Sequence, residues 1–113
     1  MAVTDPVARK YLLCASLFDV NTQILDTMIH FRRPGEEREL DQKVRIDIKH
    51  LGPALLKRGR AMAPSVDQTA YSRVKAATDK WAWKLADQTI VGDMPEYAGC
   101  RQLPEVEAAL TGR

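Results

Sequence analysis

The chain has 113 residues, with 17 lysines and arginines against 15 aspartates and glutamates, and its formal net charge is +2. This length fits one domain with one core, and it excludes a TIM barrel or a two-domain nucleotide-binding enzyme. A hydrophobic fraction of 45% with 28% charged residues is typical of a globular chain rather than a disordered one. We therefore expect residues 1–113 to form a single domain, and the small net charge gives no argument for nucleic acid.

The sequence shows no targeting pattern. No stretch approaches the ~20 uninterrupted apolar residues that a membrane-spanning helix requires. The segment Met1–Pro6 lacks the basic start and the apolar run of a signal peptide. As written, the sequence predicts a cytoplasmic protein without a membrane span. The alternative is a periplasmic or secreted protein from which a signal has been removed.

The first predicted helix runs from about Pro6 to Arg33. Asp5 is placed to cap it, because a side-chain oxygen there accepts from the free N–H groups of the first turn, and Pro6 suits the first helical position. Two neighbouring apolar stripes at helical spacing form a broad face, which is typical of a central helix with neighbours on two sides. The stripes are Ala8, Tyr11, Ala15, Phe18, Leu25 and Ile29, and Cys14, Leu17, Ile24, Met28 and Phe31. The predicted polar face opposite carries Arg9, Ser16, Asp19, Gln23 and Asp26.

The second predicted helix begins near Glu36, and its first turns are acidic, as the helix dipole favours. Residues 44–48 alternate like a strand, but apolar residues continue at helical spacing on both sides, so we expect a helix. Pro53 removes a backbone hydrogen bond and predicts a kink or break near Gly52-Pro53. The predicted buried stripe is Leu40, Val44, Ile48, Leu51, Leu55 and Met62.

The third predicted helix starts after Pro64, where Ser65 and Gln68 match a capping box, and it ends at Val91-Gly92. Its buried stripe consists of Val66, Ala70, Val74, Ala77, Trp81 and Leu85. A short C-terminal helix follows Pro104 from Glu105 to Leu110, and its predicted anchors are Leu103, Val106 and Leu110.

Together these patterns predict an all-α fold. We expect an antiparallel helix bundle of three long helices, the second kinked near Gly52-Pro53, with a short C-terminal helix docked against it.

Cys14 and Cys100 are the two cysteines of the chain, and they leave two alternatives. A bond between them would close a loop of 86 residues (100 minus 14) and would fix a tail that has few apolar residues of its own. Otherwise Cys14 is a buried free thiol that behaves as a small hydrophobe, and Cys100 is unrelated to it. An exported chain favours the disulfide, and a cytoplasmic chain favours the free thiols.

Catalytic and metal-binding patterns are weak. His30 and His50 lie in different segments, and neither has a second His or Cys at metal-ligand spacing. A nucleophilic pair of Cys14 and His50 is disfavoured because the pattern places Cys14 in the core. The acidic start of the second helix lacks the opposed carboxylates of acid–base catalysis, and the glycines near Lys57 lack the P-loop order. We therefore expect no enzyme, no metal and no cofactor.

A basic stretch follows the acidic one. Between Lys43 and Arg60 the chain has six lysines and arginines, and Asp47 is the single acid among them. Three interpretations stay open: a solvated face, a protein-binding face, or a phosphate-binding face. Nucleic acid is the weaker partner, because no exposed aromatic residues are interleaved with these cations.

Two apolar residues fall outside the predicted buried stripes. Ile46 lies about 200° from Val44 around the helix, among basic neighbours, and Trp83 lies on a different face from the buried stripe of the third helix. An apolar side chain rimmed by cations is typical of an interface anchor, although Trp83 could instead pack under the tail against Tyr97. The predicted partner-binding residues are Arg45, Ile46, Lys49 and Trp83.

These observations favour a non-enzymatic protein–protein interaction module that acts by surface complementarity, such as an inhibitor, an immunity protein or a chaperone-like adaptor. We expect a protein partner with an acidic surface, which the basic rim would steer towards the site. The alternatives are a nucleic-acid-associated regulator using the basic second helix and an unrecognised enzyme.

Overall fold

The computed structural model describes residues 5–31, 33–62, 68–88 and 94–111. Over these ranges the chain is helical and contains no β-strand, which confirms the all-α prediction. The six helices of the described residues are α1 (Pro6–Phe31), α2 (Glu36–Ile48), α3 (Leu51–Met62), α4 (Gln68–Ala86), α5 (Pro95–Cys100) and α6 (Pro104–Thr111). No helix in the described part of the chain is long and apolar enough to cross a membrane.

Helix α1 occupies the centre of the fold. Asp5 Oδ1 accepts hydrogen bonds from the backbone N–H groups of Val7 and Ala8, both at 2.9 Å, which confirms the predicted cap. All residues from Cys14 to Phe18 are buried, although five consecutive residues point to every side of a helix. Helices α2, α3, α4 and α5 all contact α1. The broad apolar face therefore belongs to a helix that is surrounded over its middle turns.

The predicted polar face of α1 is partly wrong. Ser16 is fully buried, and its hydroxyl has no hydrogen-bond partner among the described residues. Asp19 is half-buried between α3 and α4. The pattern misplaces these residues because it treats one side of α1 as facing solvent.

The predicted second helix is two helices. Helix α2 ends at Ile48, Lys49 and His50 form a turn, and α3 begins at Leu51, so the break precedes Gly52-Pro53. Pro53 is then the third residue of α3, where an N–H group would have no partner within the helix. The proline therefore fits the first turn of a new helix and produces no kink inside an older one.

The buried stripe predicted across this region is correct only in its second half. Ile48, Leu51 and Leu55 are buried, whereas Leu40 is 61% exposed and Val44 is 36% exposed. The helical spacing is present over the whole stripe, but the core of the bundle does not extend to its first two residues.

Helix α4 ends at Ala86, before the end predicted at Val91-Gly92. Val74 is buried as expected, Trp81 is half-buried, and Ala77 is exposed. The fully buried residue that the pattern misses is Ala82, whose small side chain permits close packing. The capping residue Ser65 and the stripe residue Val66 lie outside the described residues, as does the Val91-Gly92 segment.

The tail contains a helix that the sequence does not predict. Helix α5 has six residues, too few for an apolar period, and it ends at the buried Cys100. Helix α6 and its anchors Leu103 and Val106 agree with the prediction.

Gly52 permits a close approach of α3 to α1. A Cβ atom on Gly52 would lie 1.7 Å from Asp19 Oδ1. Asp19 cannot move aside without breaking its ion pair with Lys75, because its Oδ2 accepts a hydrogen bond from Lys75 Nζ at 2.8 Å. Lys75 also donates to Asp79 Oδ1 at 2.6 Å. The missing side chain thus allows three helices to meet at one ion-pair network.

We expect Gly52→Ala to destabilise the protein by about 1–3 kcal/mol, the usual cost of overpacking. Replacing glycine by alanine in a helix interior normally stabilises a protein by up to about 1 kcal/mol. The expected change in the free energy of unfolding is therefore opposite to the one that helix propensity alone predicts. Gly99→Ala is the matched control, because a Cβ there has no neighbour within 4 Å. Urea unfolding measures both variants. A Gly52→Ala protein as stable as the wild type would contradict the close approach.

The two cysteines connect the tail to the central helix. The sulfur atoms of Cys14 and Cys100 lie 2.06 Å apart, at disulfide distance, and both residues are fully buried. Two further contacts join the tail to α1: the ring of Phe18 lies 5.6 Å from that of Tyr97 in α5, and the Tyr11 hydroxyl donates to Glu105 in α6. The contacts of the tail with α1 therefore include a covalent bond, a ring contact and a hydrogen bond.

Reduction of the Cys14–Cys100 pair should lower the free energy of unfolding by about 2–5 kcal/mol, because the unfolded chain regains the freedom of a long loop. Thermal melts with and without reductant measure the change. The Cys14→Ala/Cys100→Ala double variant should melt at the same temperature in both conditions. Two freely alkylated thiols in native protein isolated from an oxidising compartment would contradict the bond.

Candidate functional site

One end of the molecule is built without a core. Between Leu25 and Ile48 none of the described residues is buried, although the segment is almost entirely helical. It comprises residues 26–31 of α1 and residues 33–47, which include most of α2. We call these residues the arm. Gly35, with φ of +156°, precedes α2 in a backbone conformation that other residues rarely adopt.

The arm exposes most of the large apolar side chains that lie at the surface of the described residues. They are Phe31 at 79%, Leu40 at 61%, Ile46 at 59% and Val44 at 36%, with Val7 and Trp83 as the two others outside the arm. Several exposed apolar side chains in one segment make it a candidate for interaction, whereas single exposed apolar residues are ordinary.

The exposed apolar residues of α2 lie on two different faces. Leu40 and Val44 are four residues apart and share one face. Ile46 lies about 160–200° around the helix from Val44, and it lines a shallow pocket of about 390 Å³ together with Asp26, Ile29 and Arg45. The arm therefore presents two separate apolar surfaces.

The structure places the predicted partner-binding residues as follows. Ile46 is exposed, Lys49 is exposed in the turn after α2, and Arg45 forms an ion pair with Asp26 of α1. Trp83 is 40% exposed on α4, and the main contacts of α2 are with α1 and α6 rather than with α4. Arg45, Ile46 and Lys49 therefore lie near one another at the end of α2, and Trp83 lies on a different helix.

The alternative placement of Trp83, beneath the tail against Tyr97, has no support in the ring contacts of the described residues. The Tyr97 ring packs against Phe18, with an angle of 53° between the ring planes. The sequence pattern could not show this, because Tyr97 lies in the short α5, which the sequence does not predict.

The basic stretch of the second and third helices is divided by ion pairs. Arg45 pairs with Asp26, and Arg58 Nε lies 4.0 Å from Glu105 Oε1 of α6. Lys43, Lys49 and Lys57 are exposed. Two of the cations thus face carboxylates from other elements, and the stretch does not act as one uninterrupted positive surface.

The titratable groups with altered pKa lie within the helix packing. Burial raises the pKa of Tyr11, and the hydrogen bonds from its hydroxyl to Glu105, at 2.8 and 3.0 Å, raise it further. Burial alone would lower the pKa of Lys75, but the carboxylates of Asp19 and Asp79 outweigh it and the pKa is raised. Burial also raises the pKa of Tyr97. Within the described residues no group of three or more His, Cys, Asp and Glu side chains could hold a metal ion.

Comparisons with known proteins identify no relative. A scan against protein-family models, a search of curated proteins and a search of solved structures each gave no match.

The raised pKa values predict a loss of stability at alkaline pH. In the folded state the pKa values of three groups lie above their ordinary values, which are 10.0 for Tyr11, 10.5 for Lys75 and 10.0 for Tyr97. Their contribution is fully present below those values and is lost as the pH rises through the folded pKa values. Urea unfolding midpoints should be flat from neutral pH to about 9 and should fall above about 10.

Tyr97→Phe tests this assignment, because it removes one of the three protons. The variant should lose stability less steeply above pH 10 than the wild type. The opposite result, a stability that rises with pH in this range, would contradict the direction of all three shifts.

Proposed function

We propose that this chain is a non-enzymatic protein-binding module, an antiparallel helix bundle whose arm docks on a partner protein. The observation that supports this proposal is the arm itself, whose described residues include none that is buried and four large apolar side chains that are exposed. Helices in proteins are stabilised mostly by packing of an apolar face. A docked partner would supply the packing that the arm lacks.

The antiparallel arrangement is supported by the order of contacts along the chain. Asp26 meets Arg45, Asp19 approaches Gly52, and Leu12 belongs to the cluster on which Leu56 packs. The position along α1 decreases as the position along α2 and α3 increases. This is the order expected for neighbouring helices that run in opposite directions.

The surface around Ile46 favours a partner with acidic groups. Lys43 and Lys49 are exposed on either side of Ile46, while Arg45 is partly neutralised by Asp26. An apolar anchor with a cationic rim binds best to an apolar pocket bordered by carboxylates, and the rim also increases the association rate. Blocking or accompanying such a partner is an action shared by inhibitors, immunity proteins and chaperone-like adaptors.

The compartment is part of the same proposal. A buried cysteine pair at disulfide distance favours an oxidising compartment, because thiols stay reduced in most cytoplasms. We therefore favour a periplasmic or secreted location over the cytoplasmic one. The nucleic-acid alternative loses support, since Arg45 and Arg58 both face carboxylates.

Photo-crosslinking from the Ile46 position tests where the partner binds. A photoreactive amino acid at Ile46, used in the native cells, should capture one protein that the same amino acid at Val7 does not capture. Val7 is the matched control because it is 52% exposed on α1, against 59% for Ile46. Proteins encoded next to this chain are the first to be tested as purified partners.

The Ile46→Asp/Lys49→Glu variant should then weaken binding of the captured protein by about thirtyfold or more, as expected for loss of an interface anchor. Arg45 is left unchanged, because its substitution would also break the ion pair with Asp26. The control Leu40→Asp alters an equally exposed residue on the other face of α2 and should bind normally. Full affinity of a folded Ile46→Asp/Lys49→Glu protein would contradict the site, and unfolding of that variant would show that Ile46 belongs to the core.

A further inference from the structure

The surface between α1 and α4 carries an apolar groove outside the arm. Two adjoining pockets, of about 440 and about 250 Å³, share Arg9, Leu13 and Thr78 and so form one continuous depression. Its apolar lining includes Leu13 and the half-buried Trp81. We call this depression the α1–α4 groove.

The charged residues that line the α1–α4 groove all have the same sign. They are Arg9, Lys10 and Arg73, and no carboxylate is among the described lining residues. All three cations are exposed. None of them forms an ion pair with a described residue, in contrast to Arg45 and Arg58. The groove therefore combines an apolar floor with a positive rim, and it fits an acidic segment that carries apolar residues.

The chain itself contains an acidic segment that carries exposed apolar residues. Glu36, Leu40 and Val44 follow one another at intervals of four residues, so they form one line along a face of α2. Glu36 in the first turn of α2 begins this line, and the two apolar residues that follow it are 61% and 36% exposed. This face is distinct from the Ile46 face, which we have assigned to the partner.

We infer that the Leu40–Val44 face of one copy docks in the α1–α4 groove of a second copy. Leu40 and Val44 pack on Leu13 and Trp81, and Glu36 at the start of the same line meets the cationic rim formed by Arg9 and Arg73. The two contacting surfaces are different, so the contact is heterologous and extends into a ring or an open chain of subunits. The inference rests on the proposed function only in that the arm is a docking surface, because it uses the other face of that arm.

Two variants test the contact, one with an altered groove and one with an altered arm. Arg9→Glu/Arg73→Glu reverses the charge of the groove and leaves the arm intact, whereas Leu40→Asp blocks the arm and leaves the groove intact. Sedimentation velocity at low ionic strength should show concentration-dependent assembly of the wild type and a monomer for each variant, with association weakened about tenfold or more. Circular dichroism melts establish that both variants are folded.

Mixing the two variants should give a dimer that contains one of each and nothing larger. The Arg9→Glu/Arg73→Glu variant supplies an intact arm, and the Leu40→Asp variant supplies an intact groove. The reverse contact would place the new aspartate at position 40 against the new glutamates of the altered groove, and it is therefore unfavourable. Assembly of the wild type should also weaken at high ionic strength, because the pairing charges are exposed and screened. A symmetric contact, in which a single surface meets itself, would not be restored by mixing.

Several results would overturn the inference. A wild type that stays monomeric at every concentration tested would mean that the groove takes another protein or nothing. Assembly that persists in either blocked variant would place the contact elsewhere. The Ile46→Asp/Lys49→Glu variant separates the two proposals, since it should assemble like the wild type while failing to bind the partner.

Discussion

The complete burial of α1 between Cys14 and Phe18 is the constraint on which the rest of the fold depends. A helix that buries every side needs cover from several directions, and here that cover comes from α3, α4 and the tail. Polar groups on the covered sides then need partners inside the packing. Asp19 meets Lys75 and Tyr11 meets Glu105 for this reason, while the hydroxyl of Ser16 has no partner among the described residues.

The same constraint explains why the arm has no core. The elements that cover α1 reach only as far as Leu25, whereas α1 continues to Phe31 and the chain returns along α2. Two helices packed only on each other cannot bury apolar residues on more than one face each. Leu40, Val44 and Ile46 are therefore left at the surface by the length of α1. The proposed docking surfaces are a consequence of this geometry.

The sequence predicts the helical character of the chain and the start of α1 because spacing and capping are local properties. Asp5 caps α1 as expected, and Pro104 precedes a short helix anchored by Val106. The errors come from tertiary context, which a pattern does not contain. The spacing of Leu40 and Val44 is identical whether or not another element covers them, so the pattern assigns them to the core.

The break between α2 and α3 shows a second limit of sequence reasoning. Pro53 indicates that a continuous helix is unfavourable, because proline lacks a backbone N–H group. The chain can accommodate the proline either by a kink or by starting a new helix a few residues earlier. The close approach of Gly52 to Asp19 favours the second solution, because it fixes the first turn of α3 against α1. Neither that contact nor the pairing of Cys14 with Cys100 can be decided from spacing along the chain.

The candidate sites were harder to predict than the fold because net charge conceals how charge is distributed. The chain carries a formal charge of only +2, yet its packing engages Asp19, Asp26 and Glu105 in contacts with basic or hydroxyl groups. The cations of the α1–α4 groove have no ion-pair partner among the described residues, while acidic residues lie at the start of α2. A nearly neutral protein can thus carry two surfaces of opposite charge. The positions of these two surfaces depend on how the helices pack, and so they are known only once the fold is known.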